Sequence, residues 1–283
     1  MPNKKPKIYS HSRISTFEQC PFKFKLHYID EIKPAIEHTI ETHLGSAIHS
    51  TLEWLYTQIM GKHIPTLDET ITYYAVKWQD SYAQDTLIVK KELTQKDYFN
   101  KGVKFLVDYY TTHHPFKDNT LEVEKRILIN LDEEEKYKIQ GFIDRLSYNL
   151  QTGEYEIHDY KTANSMPRKH QIDNDRQLAL YSIAIKELFG EEKDICLTWH
   201  FLAHNQKICI RKTNKELIEL KKEIIQAIEK IESTTNFPTQ KSILCNWCGY
   251  KDYCPEFGGC PPEKDSGKIP NQEITDEELL DIW

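Results

Sequence analysis

Residues Gly141–Thr162 read GFIDRLSYNLQTGEYEIHDYKT. The pattern predicts two adjacent strands joined by a turn at Gln151, Thr152 and Gly153, with charged residues set into otherwise apolar strands. Phe142 and Ile143 lead into Asp144; Tyr155 and Ile157 alternate with Glu156 and His158 before Asp159, Tyr160 and Lys161. Side chains alternate faces along a strand, so Asp159 and Lys161 point the same way. Paired strands would bring Asp144 into their neighbourhood. Two carboxylates and an ammonium would then meet at one end of a sheet. Carboxylates held close share a proton or bind a cation. Oxygen ligands suit Mg²⁺ or Mn²⁺, which activate water and stabilise charge on a phosphoryl oxygen. Taken alone, the triplet Asp-Tyr-Lys is more often a pair of ordinary strand-end charges.

Upstream of this hairpin, LEVEKRILINL from Leu121 predicts another strand, with a polar turn at Asp132–Lys136 before the strand that runs from Tyr137 to Tyr148. Glu124 on the earlier strand either joins the acidic site or is a plain exposed glutamate. Residues 62–118 predict at least two aromatic-rich helices inserted ahead of the sheet, their rings core first and base-stacking platforms second. Before them, Leu44, Ile48, Leu52, Leu55 and Ile59 mark an amphipathic helix, with His49 beside its apolar stripe. A lone histidine there is more often a hydrogen-bonded core residue than a metal ligand. Earlier still, SRISTFEQCPFKFKLHYI (12–29) has helical spacing interrupted at Pro21, and Ser15 with Glu18 predicts a capping box.

Downstream, TANSMPRKHQIDND (162–175) predicts a polar rim loop. RQLALYSIAIKELFG then predicts a helix stopped by Gly190, with Gln177 and Tyr181 on one face. Two strands, 195–203 and 206–212, and a helix from about Asn214 to Ser233 follow. Cys196 and Cys209, in those strands, read as ordinary core residues. LCNWCGYKDYC (244–254) places Cys245, Cys248 and Cys254 at ligand spacing, with Cys20 or Cys260 as a fourth thiol. Four thiolates hold either an iron–sulfur cluster or structural zinc. The last stretch, 258–283, reads as a flexible tail whose TDEELLDIW end predicts a short docking helix.

The chain of 283 residues carries a net charge of −7, so no global field draws it to nucleic acid, and DNA binding would need a local basic patch. Lys4, Lys5, Lys7, Arg13, Lys23 and Lys25 provide one candidate patch. No apolar run reaches membrane-spanning length, and the start lacks an apolar signal core. The expected location is cytoplasmic, where thiols serve metals rather than disulfides.

Taken in order, YSHSRISTFEQCPFKFKLHYI, the GSAIH helix, GFIDR, HDYKT, the QLALY helix and CNWCGYKDYC resemble the RecB-like branch of the PD-(D/E)XK nucleases, in its iron–sulfur form. Relatives of that kind include AddB-type nuclease domains, CRISPR-adaptation nucleases and stand-alone RecB-family exonucleases. The resemblance implies an α/β, restriction-endonuclease-like core: a mixed central sheet flanked by helices, with a helical insertion at 62–118 in one domain over 1–257. It implies His49, Asp144 and Asp159 as ligands of Mg²⁺ or Mn²⁺ and Lys161 as the catalytic lysine, with Gln177 and Tyr181 positioning the lysine or DNA. Ile143 stands where other branches carry a proline before the aspartate. Cys20, Cys245, Cys248 and Cys254 are implied as ligands of a 4Fe–4S cluster clasping the N-terminal segment to 241–257, zinc being the rival occupant and Cys260 the rival fourth ligand. The implied function is metal-dependent hydrolysis of DNA, as an exonuclease on single-stranded ends in repair or recombination, with a helicase or other recombination or adaptation protein as partner. The alternatives are a CRISPR-adaptation nuclease working with partners, or a cluster-bearing DNA-binding subunit of a helicase–nuclease complex.

Overall fold

The computed structural model describes residues 7–262. In chain order the elements are β1 (Lys7–Ser10), α1 (His11–Gln19), α2 (Pro21–Phe24), α3 (Ile40–Met60), α4 (Leu67–Asp80) and α5 (Gln95–His113). Then come β2 (Thr120–Asn130), β3 (Tyr137–Asn149), β4 (Glu154–Lys161), α6 (Lys169–Asp173), α7 (Gln177–Phe189), β5 (Ile195–Phe201), β6 (Gln206–Ile210) and α8 (Asn214–Ser233). The docking helix expected within TDEELLDIW lies outside the described residues.

All six strands join one mixed sheet. β2 runs antiparallel along one edge of β3, keeping one register from Glu122 opposite Leu146 to Asn130 opposite Lys138. The other edge of β3 changes partner. β1 pairs parallel with Tyr137–Gln140, and β4 pairs antiparallel from Arg145, opposite His158, to Asn149, opposite Glu154. Between these two ladders Gly141–Asp144 have no strand on that edge. β4 continues past the point where it leaves β3, still paired with parallel β5 from Tyr155 to Lys161. β3 and β4 therefore form a fork, and Asp144 and Asp159 stand at its mouth.

Helices cover both faces. Ile14, Phe17 and Phe24 of α1 and α2 pack with α7 and α8 against Ile139, Leu146, Ile157 and Leu197 of the sheet. On the other face α3, α4 and α5 build a second core from Ile48, Leu52, Tyr74, Trp78, Phe105 and Tyr109, into which Tyr160 of β4 projects. The aromatics of the helical insertion are thus largely core, and α3 completes the unit that α4 and α5 begin. Three helices open on the same reciprocal cap, Thr66 with Glu69, Thr94 with Asp97 and Thr213 with Glu216. Each box satisfies amide groups that the first turn leaves unpaired.

Four local expectations are corrected. The cap of α1 is Ser10, whose side chain accepts from Arg13; Glu18 instead pairs with Arg176 of the α7 entry, so no Ser15–Glu18 box forms. A strand, β1, occupies the polar start. Two of the N-terminal basic residues are neutralised, Lys7 by Glu232 at 2.6 Å and Lys25 by Asp30 at 2.5 Å. Finally, only Cys196 is a core residue; Cys209 is exposed, and the two are joined as a disulfide across β5 and β6.

The α8 helix offers a direct test of the packing. Ile224 is fully buried and Ile218 is 55% exposed on the opposite side. Ile224→Ala is expected to cost about 2–5 kcal/mol and Ile218→Ala less than about 0.5 kcal/mol, measured from denaturant midpoints.

Candidate metal and catalytic site

At the fork, Asp144 has lost its strand partner and takes a backbone one: the Tyr160 N–H donates to its Oδ2 at 2.9 Å. His49 reaches the same place from α3. Its Nε2 lies 2.8 Å from the Tyr160 carbonyl oxygen, and its Nδ1 lies 3.3 Å from Asp144 Oδ2. A carbonyl can only accept, so Nε2 carries the hydrogen. In the neutral ring that leaves the Nδ1 lone pair aimed toward Asp144, the tautomer a metal ligand requires. GSAIH thus places its histidine at the fork, and Gly45, one turn earlier, would place an added Cβ 3.7 Å from Thr162.

Asp159 and Lys161 face α7, as strand alternation predicts. Lys161 Nζ donates to Asp159 Oδ1 at 3.0 Å and to Gln177 Oε1 at 3.3 Å, and Gln177 Nε2 lies 3.4 Å from the Tyr181 hydroxyl. The ammonium also stands 2.8 Å from Asp159 Oδ2, but off its hydrogen-bonding direction, so this buried oxygen accepts no hydrogen bond. Tyr181 lies on the β3 backbone at Gly141. An added Cβ there would fall 2.4 Å from its ring, which accounts for the glycine of GFIDR.

Glu124, left open by the sequence, is part of the site. The β2–β3 register places it opposite Asp144, between the pairs Val123–Arg145 and Lys125–Ile143. Its backbone takes the left-handed region at φ 45°, costly for a non-glycine residue. Donor atoms of His49, Glu124 and Asp144 lie within 4.8 Å of one another. Asp159 completes the surroundings from β4, electrostatically coupled to both His49 and Asp144.

His49 and Lys161 are the cationic partners of the site's aspartates, His49 beside Asp144 and Lys161 beside Asp159. Burial pulls the His49 pKa down, but Asp144, by charge and hydrogen bond, pushes it up to about 9. Burial raises Asp144, yet His49, the Tyr160 amide and Lys161 outweigh it and hold this carboxyl below its usual value. Asp159 goes the other way, raised by burial and by Asp144 despite Lys161. Glu124 is pushed to about 7 by burial, then by Asp144 and Glu53, against His49. His49, Glu124 and Asp144 form a donor set of mixed oxygen and nitrogen that fits a divalent cation; Asp159 stands outside that group of three, with its Oδ2 buried and without a hydrogen bond.

Segment 20–36 is clasped to 238–250: Phe22 N–H donates to the Pro238 carbonyl, and Ala35 and Ile36 both donate to that of Gly249. His27 Nδ1 lies 2.8 Å from the Tyr250 hydroxyl, which donates to the Ile32 carbonyl at 2.9 Å. Cys20, Cys245, Cys248 and Cys254 are free thiols. Burial raises the pKa of Cys248 and Cys254, and the charges of Cys20 and Cys245 raise both further. The segment that carries Cys20 thus packs against the one that carries the C-terminal thiols.

Sequence reasoning passed over Arg145, His158 and His200, which are buried behind the site. Arg145 and His158 are cross-strand partners, His158 Nε2 lies 2.8 Å from Ser147 Oγ, and its Nδ1 lies 3.0 Å from His200 Nε2. Their signal was the polar side chain at every second position, on the face that Tyr160 shares.

The sign of the His49 shift gives a pH test. A raised folded-state pKa contributes stability that is whole below the unfolded value of about 6.5 and is lost as pH rises through about 9. In chelator, the melting-temperature advantage of wild type over His49→Ala should shrink between those limits. An advantage that grows with pH would contradict the ion pair.

The model of the PD-(D/E)XK nuclease superfamily matches residues 8–255. The chain is 26% identical over 242 residues to a subunit of the ATP-dependent helicase/deoxyribonuclease of Carboxydothermus hydrogenoformans, a match taking in 77% of this chain and 22% of that protein. It thus spans about a fifth of that relative's length. The crystal structure of SSO0001 aligns at a TM-score of 0.42 and 14% identity, over 89% of this chain and 88% of that one. With a sheet fork bearing Asp144, Asp159 and Lys161, and a family match over most of its length, the chain belongs to the PD-(D/E)XK nuclease superfamily, as a RecB-like nuclease.

Proposed function

We propose that this chain is a metal-dependent deoxyribonuclease acting as an exonuclease on single-stranded ends. The observation that carries the proposal is the convergence of His49, Glu124 and Asp144 within 4.8 Å, beside Asp159 and Lys161. His49, Asp144 and Asp159 would hold Mg²⁺ or Mn²⁺, with Glu124 as an added oxygen donor. The cation would supply polarisation of the phosphate and a lowered pKa for water. The chain's own groups do the rest. Lys161 keeps its proton, raised above its ordinary pKa by Asp159 against the pull of burial, so it serves as a donor to a phosphate oxygen or to the attacking water. Gln177 holds that ammonium from the side, and Tyr181 holds Gln177. The deoxyribonuclease named in the matched relative supports DNA as substrate, and its place in a helicase/nuclease assembly supports a helicase partner. No helix among the described residues is long and apolar enough to cross a membrane.

The four thiols are proposed to hold a 4Fe–4S cluster that staples the segment around Cys20 to 245–254. Cys20 is the favoured fourth ligand, since its charge reaches both Cys248 and Cys254.

End-labelled linear and circular DNA, single- and double-stranded, is the test for activity. Linear single strands should be degraded with Mg²⁺ or Mn²⁺, chelator should stop it, and Lys161→Ala should lower kcat at least about hundredfold, the scale of losing one transition-state donor. Equal rates for Lys161→Ala and wild type would remove the lysine from the reaction, and cleavage of circles would make the enzyme an endonuclease. For the cluster, anaerobically purified protein should be brown and contain iron, and Cys20→Ser should lose both. Zinc in place of iron, or loss only with Cys260→Ser, would contradict the assignment.

A further inference from the structure

Tyr160 lies between Asp159 and Lys161 but faces the other way. Its backbone holds two site residues: the N–H donates to Asp144 Oδ2 at 2.9 Å and the carbonyl accepts from His49 Nε2 at 2.8 Å. Its hydroxyl is anchored separately, accepting from Arg145 Nε at 3.0 Å and lying 3.2 Å from the Tyr109 hydroxyl of α5. Arg145 has no solvent exposure. Its Nη1 binds Asp118 at 3.0 Å and Thr120 Oγ1 at 3.4 Å, and its guanidinium lies 4.1 Å from the centre of the Tyr56 ring of α3.

A buried cation fixed on several sides cannot shift without exposing an unpaired charge. Through Tyr160 that cation reaches both His49 and Asp144: the hydroxyl accepts from Arg145, and the peptide units on either side of the Cα bond the two site residues. We propose that Tyr160 is a positioning residue: its hydroxyl, pinned by Arg145, sets the separation of His49 and Asp144. The helical unit thereby fixes the geometry of the metal site. Tyr160 touches neither substrate nor metal in this scheme. It rests on the reading that His49 and Asp144 hold a divalent cation. Partners that orient metal ligands are often worth about 10–100-fold in affinity.

The test is Mn²⁺ affinity of the full chain, purified anaerobically and titrated by the electron paramagnetic resonance of free Mn²⁺. Wild type should bind, and His49→Ala should lose the site. Tyr160→Phe, which removes one oxygen and keeps the ring, should bind at least about tenfold more weakly. Tyr74→Phe is the control: it removes a buried hydroxyl bonded to the Phe99 carbonyl at 3.3 Å, away from the site, and should leave affinity unchanged. Asp118→Asn, altering a counter-charge that is 40% exposed, should weaken Mn²⁺ in the same direction by less, and keeps the question open to disproof if Tyr160→Phe does not fold. Unchanged affinity in Tyr160→Phe, or in Asp118→Asn should the former not fold, reduces Tyr160 to a packing role and overturns the proposal while the nuclease reading stands. A wild-type protein that binds no Mn²⁺ overturns both.

Discussion

The structure depends on one event in the sheet: β3 exchanges β1 for β4 along a single edge. A strand that changes partner leaves a short run of backbone without a ladder, and buried amides and carbonyls are costly unless satisfied. Here the Asp144 carboxylate accepts the N–H of Tyr160 and His49 meets the carbonyl of the same residue. The groups that complete the backbone hydrogen bonding at the fork are the ones that gather around the proposed cation. Strand separation and site assembly are therefore one requirement met by the same side chains.

The two faces of β4 divide the labour. Toward α7, Asp159 and Lys161 form a charged pair held by Gln177. Toward the helical unit, His158, Tyr160 and Arg145 of the neighbouring strand build a buried polar layer with Tyr109, Tyr56 and His200. Burial pulls the pKa of both His158 and His200 well below the ordinary value, and Arg145 pulls further. They are neutral bridging groups beside a permanent charge. Such a layer is weak evidence for stability, since desolvating a guanidinium offsets much of its attraction to partners. Its consequence is geometric, because a hydrogen-bonded polar layer tolerates few alternative packings, even with Arg145 Nη2 buried without a partner.

Much of this was legible in the sequence because strand alternation is strict. GFIDR and HDYKT announce which side chains share a face, and the α8 stripe and the Gly190 stop announce helices. The match of GSAIH to the family then named His49, though its spacing alone favoured a core role. What stayed hidden depends on distant chain segments. β1 has four residues and a parallel partner about 130 positions away, so no local pattern marks it. Glu124 could be placed only once its strand was set opposite Asp144, and its left-handed backbone has no sequence signature. The Ser15–Glu18 box failed because Ser10 begins the helix earlier and Arg176 claims Glu18. The thiol spacing was visible in 245–254, and the resemblance had already offered Cys20 as their distant companion; the packing of 20–36 on 238–250 required the folded chain.

A chain whose first and last described segments close on each other, and whose central sheet opens at one fork, puts its chemistry where backbone pairing is interrupted. The most direct test is crystallographic: crystals grown with Mn²⁺, with data collected at the manganese absorption edge. The account predicts an anomalous peak within bonding distance of His49 Nδ1 and Asp144, with Glu124 or Asp159 turned toward it. Manganese bound elsewhere, with His49 still paired only to Asp144, would contradict it.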